Sequence, residues 1–192
     1  MDKTNTSSRR THSGFALLVA LPLLWSMSGC GPSVALSSDR YMPQFDPAPL
    51  ASYHGKVLVL RGFENVDEKT NFYSYPGKGR YYGGPVLTSY FWYCFKSAFT
   101  KLGVNVFEEG QGPSGAPTMD VKLVRIAEDG FTANVTVAVS SGRPPLMKSY
   151  TIAGPTITDF QKSALESRAY QMMTALFWSV ASDPQFQAIV AP

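Results

Sequence analysis

The chain carries few reactive side chains, and its two thiols are the first candidates for chemistry. Cys30 follows two small residues at the end of an uncharged stretch, residues 15–27, whereas Cys94 lies among apolar residues at helical spacing. A thiol can be acylated, can ligate a metal, or can act as a nucleophile when a neighbouring group stabilises the thiolate. No histidine or carboxylate cluster accompanies Cys94, so we expect it to be a small buried apolar side chain.

Other catalytic patterns are weak. Ser140-Ser141-Gly142 lacks the glycines that frame a nucleophilic serine, and His54 is the only histidine after residue 29. No spacing typical of metal ligands occurs, so we expect no metal, no cofactor and no enzymatic activity. The rival hypothesis is an enzyme that acts on cell-wall glycan or lipid through Asp120 or Glu109 in a cleft.

The N-terminus has the order of a secretory signal peptide. Lys3, Arg9 and Arg10 precede the thirteen uncharged residues 15–27, which are too few for a membrane span of about 20 apolar residues. Residues 27–30, Met-Ser-Gly-Cys, resemble the lipobox of bacterial lipoproteins, with Met where Leu is usual. The resemblance implies that residues 1–29 are removed and that Cys30 carries the lipid, including palmitate. The alternatives are a plain signal-peptidase site or an ordinary buried cysteine.

The residues around the signal also predict the route and the destination. The pair Arg9-Arg10 is typical of a signal for the twin-arginine export pathway, but His12 occupies a position where a hydrophobic residue is expected. General secretion is therefore favoured. In lipoproteins of this kind an Asp after the lipidated cysteine retains the protein at the inner membrane. Gly31 follows Cys30 here. The resemblance therefore implies the outer membrane of a Gram-negative cell, facing the periplasm, in preference to the inner membrane.

Most of the net positive charge of the chain lies in the predicted signal peptide. Loss of residues 1–29 leaves 163 residues with 14 Lys and Arg against 13 Asp and Glu, a net charge of +1. This balance gives no electrostatic reason to expect nucleic acid as a partner. The length suits one ordinary domain, and with Cys30 acylated no internal disulfide can form.

Residues 30–54 are predicted to form an extended or disordered tether between the membrane anchor and the folded domain. The stretch from 31 to 53 has four prolines, many small residues and no sustained period. Twenty extended residues would reach on the order of 60 Å. The alternative is that Pro43–Leu50 lies along the domain with Phe45 or Leu50 packed against it. The folded domain is expected over residues 55–192.

Residues 67–85 are predicted to form a long aromatic loop. Five aromatics, with glycines, prolines and two cations, fall between 71 and 85 without an amphipathic period. Long loops are often functional, and tyrosine suits contact with a protein or glycan. The candidate partner-binding residues are Phe72, Tyr73, Tyr75, Arg80, Tyr81 and Tyr82. The alternative is that these aromatics cover the core or a sheet edge.

Periodicity elsewhere predicts a single α/β (α+β) domain. The spacing of apolar residues indicates helices at 86–102 and 163–181, and the second helix begins with a Ser163–Glu166 capping box. It indicates a buried strand at 57–60 and further strands at 104–108, 119–127, 131–140 and 146–153. The Asp129-Gly130 pair between two alternating segments favours a hairpin. Residues 184–190 could add one more helical turn. We expect a mixed, mostly antiparallel sheet with two helices on one face.

This order of elements resembles small periplasm-facing lipoproteins of the YajG-like and ABC-transport auxiliary type, and more distantly the amino-terminal domain of TolB and the lipoprotein activators of penicillin-binding proteins. The points of resemblance are the lipobox at Cys30, the first strand 56–60, Lys-Leu-Gly at 101–103 before the next strand, and a long hairpin followed by a helix. The resemblance implies a non-enzymatic accessory protein that docks on an envelope complex for transport or cell-wall assembly. Carriage of a lipid or hydrophobic ligand between helices and sheet is the alternative.

Overall fold

The apolar run after residue 56 forms β2 (Val57–Asn65) in the interior of the main sheet. The structure is a computed structural model that describes residues 33–75, 79–83, 86–138 and 144–192. Leu58 and Leu60 belong to the hydrophobic core, and Val59 on the other face of the strand is also buried. A loop covers Val59 so closely that a Cβ on Gly112 would lie 2.3 Å from a Val59 methyl group. Burial of the strand on both faces is therefore confirmed.

The main sheet has five strands in the order β5 (Asn105–Glu108), β2, β6 (Thr118–Ala127), β7 (Gly130–Ala138) and β8 (Leu146–Ala153). β2 is parallel to both β5 and β6, and the remaining two pairings are antiparallel. A helix between β2 and β5 makes their parallel pairing possible, because such a crossover needs a dozen or more residues. The mixed α/β sheet is confirmed, with its pairings divided equally between the two kinds.

The predicted hairpin forms, with two local differences. Ala127 pairs with Gly130, so the loop is the two residues Glu128 and Asp129. A Cβ on Gly130 would lie 2.1 Å from the Ile152 carbonyl oxygen, which explains why glycine is needed where β7 approaches β8. The register also shifts between Leu123 and Arg125. Such a shift moves later side chains to the other face, so Arg125 is exposed although strict alternation along the strand predicts that it shares a face with the buried Leu123.

Among the described residues three α-helices are present: α1 (Leu87–Lys101), α2 (Lys162–Ala181) and α3 (Pro184–Val190). Helix α1 packs against β2 and β5, and α2 packs against β7 and β8. Aromatic rings join the layers, as in the edge-to-face pair Phe99 and Phe177 with centroids 4.8 Å apart. The Ser163–Glu166 capping box was wrong, since the residue before α2 is Gln161 and makes no side-chain cap. The Glu166 carboxylate bonds elsewhere, as described below.

A second, smaller sheet holds the N-terminal part of the chain. Its three strands lie in the order β1 (Ser33–Leu36), β4 (Gly79–Gly83) and β3 (Tyr73–Tyr75), with β1 parallel to β4 and β3 antiparallel to it. The sequence did not predict this sheet. Two of its strands fall within the predicted aromatic loop 67–85, and the third falls within the predicted tether.

The tether prediction for residues 30–54 is corrected from residue 33 onward. Residues 37–54, here called the N-terminal arm, run over α2 and bury Tyr41, Leu50 and Tyr53, which are 4%, 2% and 0% exposed. The Tyr53 hydroxyl donates to the Ala181 carbonyl at 2.8 Å. The arm follows the surface of a helix without forming a long regular element, so its buried residues have no period. Packing of Leu50 onto the domain, the alternative prediction, is confirmed.

Candidate functional site

The candidate site is a groove between the N-terminal arm and the outer face of α2, with a volume of about 740 Å³. The arm contributes Arg40, Met42 and Phe45 to its lining, and α2 contributes Tyr170 and Trp178. The face of α2 that enters the core carries other residues, among them Leu165, Ala169, Met172 and Leu176. The groove is therefore separate from the core between helices and sheet.

Aromatic contacts hold the arm beside the groove. The Phe45 ring stacks on Phe177 with centroids 5.3 Å apart, and it lies 5.8 Å from the Trp178 ring. The Lys101 ammonium is 4.8 Å from the Phe45 centroid and donates to the Pro43 carbonyl at 2.5 Å. A cation over an aromatic face adds attraction to the burial of the ring. These contacts set the position of Phe45 as one wall of the groove.

A polar clamp, formed by Ser37, Arg40, Glu166 and Tyr170, fixes the other end of the arm. The Glu166 carboxylate accepts from Arg40 Nε at 3.0 Å and from the Ser37 N–H at 3.3 Å. The Tyr170 hydroxyl lies 2.5 Å from both this carboxylate and the Ser37 carbonyl, and it can donate to one of them at a time. Burial alone would raise the pKa of Glu166, but the donors around it hold that pKa below its ordinary value.

The clamp and the groove have different chemical characters. Glu166 is 8% exposed and its acceptor oxygen is occupied by the clamp. Beyond the clamp, Met42 is 72% exposed on the rim, and Trp178 is half-buried. Asp46, another lining residue, accepts from the Ala48 N–H at 3.0 Å in a turn. The groove is thus suited to binding through apolar and aromatic contact.

Two of the predicted partner-binding residues are part of the core. Phe72 is 3% exposed and packs on Phe91 and Phe131, with centroids 5.7 and 5.3 Å away. Tyr73 is 1% exposed, and its hydroxyl accepts from Arg168 at 3.3 Å. The prediction of partner contact was wrong for both, because the segment that leads into β3 lies over the helix and sheet. For these two residues the alternative prediction, that the aromatic side chains cover the core, is confirmed.

The side chains of the other four predicted partner residues lie outside the part of the chain that the structure describes. These residues are Tyr75 at the end of β3, and Arg80, Tyr81 and Tyr82 on β4. Their backbone register is known: Tyr75 pairs with Gly79, and Tyr73 pairs with Tyr81. Contact of these four residues with a partner stays a prediction. The predicted signal peptide and the predicted lipidation site, Cys30, likewise lie outside the described residues.

The residues considered for catalysis have structural surroundings. Asp120 forms an ion pair with Arg61 and accepts from the Gly62 N–H at 3.3 Å. Glu109 is exposed in the turn after β5. Cys94 is fully buried, as predicted, and burial raises the pKa of its thiol. In the described ranges no three His, Cys, Asp or Glu side chains gather as a metal site would require, and no helix there has the length and apolarity of a membrane span.

Sequence reasoning did not find the groove. Tyr170, Thr174 and Trp178 recur every four residues along α2, and this is a second stripe beside the core stripe. The stripe could have been recognised from its spacing. Its partner, the arm, could not, because Arg40 and Met42 belong to a segment without periodicity.

Comparison with known proteins shows a shared fold. The chain matches no protein-family model and no curated protein sequence. It is similar to the crystal structure of protein XCC0632 from Xanthomonas campestris, of the family DUF330, with a TM-score of 0.58 and 14% identity over 77% of this chain and 91% of that chain. A structure described only as that of an uncharacterized protein gives a TM-score of 0.50 and 9% identity over 79% and 97%. At these identities the similarity shows the fold alone, so this chain has the fold of these two proteins over nearly their whole length.

Proposed function

We propose that this protein is a non-enzymatic accessory lipoprotein, anchored in the bacterial outer membrane by a lipid on Cys30 and facing the periplasm. In this proposal it docks on an envelope complex for transport or cell-wall assembly. The lipobox supports the anchor, and the resemblance to YajG-like and ABC-transport auxiliary lipoproteins supports the accessory role. The groove between the arm and α2 is the proposed docking site.

The observation that carries the docking proposal is the set of side chains that line the groove. The large side chains that line it are those of Arg40, Met42, Phe45, Tyr170 and Trp178, and smaller or polar residues such as Asp46, Ser167 and Ala175 lie between them. Arg, Met, Phe, Tyr and Trp are residue types enriched at protein interfaces. Trp and Tyr in particular dominate binding energy when they become desolvated. We therefore infer that the occupant is an apolar segment of an envelope protein.

A binding role is also favoured by the state of the candidate catalytic groups. Cys94 is buried, Asp120 is paired with Arg61, and Glu109 is exposed in the turn after β5, outside the lining of the groove. A catalytic acid, base or nucleophile must reach the reacting atom in a cleft. The proposal therefore assigns these residues to the structure and the groove to binding.

The test uses two methionines that differ in location but not in exposure. Met42, on the groove rim, is 72% exposed, and Met147, on β8, is 74% exposed. We expect Met42→Glu in the anchored protein to lose a crosslinked envelope partner at least several-fold, because a carboxylate would have to be desolvated in an apolar contact. Met147→Glu, the matched control, should keep that partner. Retention by both variants would refute docking in the groove.

Carriage of a hydrophobic ligand is the second candidate, and the size of the groove favours it. A volume of about 740 Å³ lies within the range of about 300–1,000 Å³ typical of small-molecule sites. Native mass spectrometry of the purified protein distinguishes the two functions. A co-purifying phospholipid or fatty acid that Met42→Glu removes and Met147→Glu retains would support carriage and would replace docking as the function of the groove.

A further inference from the structure

The distance in sequence between Cys30 and the folded domain is very short. The first residue of β1 is Ser33, so only Gly31 and Pro32 separate the domain from the predicted lipid anchor. Three consecutive Cα–Cα steps reach at most about 11 Å. The predicted tether of some twenty residues would have allowed several times that distance. The folded residues next to Ser33 are therefore confined to the neighbourhood of the lipid.

The pairing of β1 identifies part of this neighbourhood. Ser33 is paired with Arg80 on β4, and because the two strands are parallel, Leu36 is paired with Gly83. The first residues of β1 and β4 therefore lie at the same end of the small sheet. This end is the one at which the chain arrives from Cys30.

The course of the arm along α2 indicates which end of that helix lies near the lipid. Ser37 bonds to Glu166, the Tyr41 hydroxyl to Thr174, and the Tyr53 hydroxyl to the Ala181 carbonyl. The arm thus follows α2 in the direction of increasing residue number. β1 leads from Ser33 into the arm at Ser37, whose N–H bonds to Glu166, about one helical turn from the start of α2 at Lys162. Ala181, nineteen residues later, is about 29 Å away along the helix axis at 1.5 Å per residue.

We propose that the end of the fold formed by Ser33, Arg80 and Lys162, here called the anchor end, lies against the lipid surface of the membrane. The opposite end, at Ala181 and α3, then points into the periplasm. This inference rests on the proposed lipid on Cys30, because the two-residue leader, Gly31 and Pro32, keeps Ser33 close to that lipid. The groove along α2 accordingly begins near the membrane and extends away from it, within reach of partners beside the bilayer.

Photocrosslinking to lipid tests this orientation. Lys162 and Gln185 are both exposed, the first at the anchor end and the second at the start of α3. Each is replaced in turn, Lys162→p-benzoylphenylalanine and Gln185→p-benzoylphenylalanine, in the mature protein reconstituted into vesicles of phosphatidylethanolamine and phosphatidylglycerol. We expect several-fold more lipid adduct at position 162. Thermal unfolding checks that both variants fold, and the mass of the N-terminal peptide checks acylation of Cys30.

The outcomes separate the orientation from the anchor. Acylated protein with equal capture at both positions, or with more at position 185, overturns the proposed orientation and leaves the anchor intact. Protein that is not acylated in its native host refutes the anchor, and the orientation with it.

A leader insertion tests the cause of the orientation. Twenty Gly and Ser residues between Pro32 and Ser33 would have a root-mean-square span of about 25 Å. We expect capture at position 162 to fall to the level at position 185, whereas the same twenty residues added after Pro192 should leave it unchanged. Unchanged capture with the lengthened leader would overturn the inference, because the short leader would then not position the anchor end.

Discussion

Replacing Tyr53 with Ala tests whether the N-terminal arm is part of the fold. The Tyr53 side chain is fully buried, with ring centroids 6.4 Å from Phe99 and 6.3 Å from Phe186. Its hydroxyl donates to the Ala181 carbonyl, 128 residues away in sequence. In a solvated tether the same substitution would remove none of these contacts.

The expected cost follows from these contacts. Truncation of a buried aromatic to Ala typically costs about 3–5 kcal/mol. The hydrogen bond adds little to this, because the Ala181 carbonyl keeps a bond from Gln187 Nε2 at 3.1 Å. For a protein of this size each kcal/mol lowers the midpoint of thermal unfolding by about 2–4 °C. Tyr53→Ala should therefore lower the midpoint by roughly 6–20 °C.

The assay is thermal and urea unfolding of the mature protein in detergent, followed by circular dichroism. Tyr53→Phe, which removes only the hydroxyl, should cost about 1 kcal/mol. Ser52→Ala is the matched control, because Ser52 is exposed in the same helical turn. If Tyr53→Ala shifts the midpoint no more than Ser52→Ala does, the arm does not pack as described.

Two further predictions concern Glu166 and Cys94. Because the folded pKa of Glu166 is lowered, its contribution to stability is present above the unfolded value of about 4.3 and is lost as pH falls through the folded value. Glu166→Gln should thus lower the free energy of unfolding by about 1–2 kcal/mol at pH 7. Urea titrations should show that the difference in free energy between the two proteins shrinks between pH 6 and pH 3. A difference that stays constant over this range would contradict the clamp. Cys94 is fully buried with a raised thiol pKa, so the native mature protein should not react with a thiol reagent, and unfolding in guanidinium should expose one thiol per chain. A rapid reaction of native protein would show that Cys94 is accessible.

Local patterns predicted the two long helices and the hairpin of the main sheet well. Helix α1 was expected at 86–102 and spans Leu87–Lys101, and α2 was expected at 163–181 and spans Lys162–Ala181. Apolar residues at spacings of three and four identify such helices without knowledge of their neighbours. The hairpin of β6 and β7 was predicted for a similar reason, since alternation and turn residues are local signals.

Where a single residue changes the geometry, local patterns were insufficient. The register shift after Leu123 exposes Arg125 and buries Ile126, although strict alternation predicts the reverse. Glu166 has the spacing of a capping box, yet Arg40, 126 residues away, binds its carboxylate. For Glu166 a contact distant in sequence outweighs the local preference, because a hydrogen bond between charged groups contributes more than a helix cap.

The sequence alone predicted the route and the lipid anchor of this protein and determined its class of fold, because the patterns for signal peptide, lipobox and periodicity involve neighbouring residues. Only the tertiary structure decided how residues 33–54 pack on the rest of the domain. It placed the arm on α2, with Tyr41, Leu50 and Tyr53 buried there, and it paired Ser33 with Arg80. These contacts join residues tens to more than a hundred positions apart, and no local pattern records them. The groove follows from those long-range contacts, and the proposed anchor end is inferred from them.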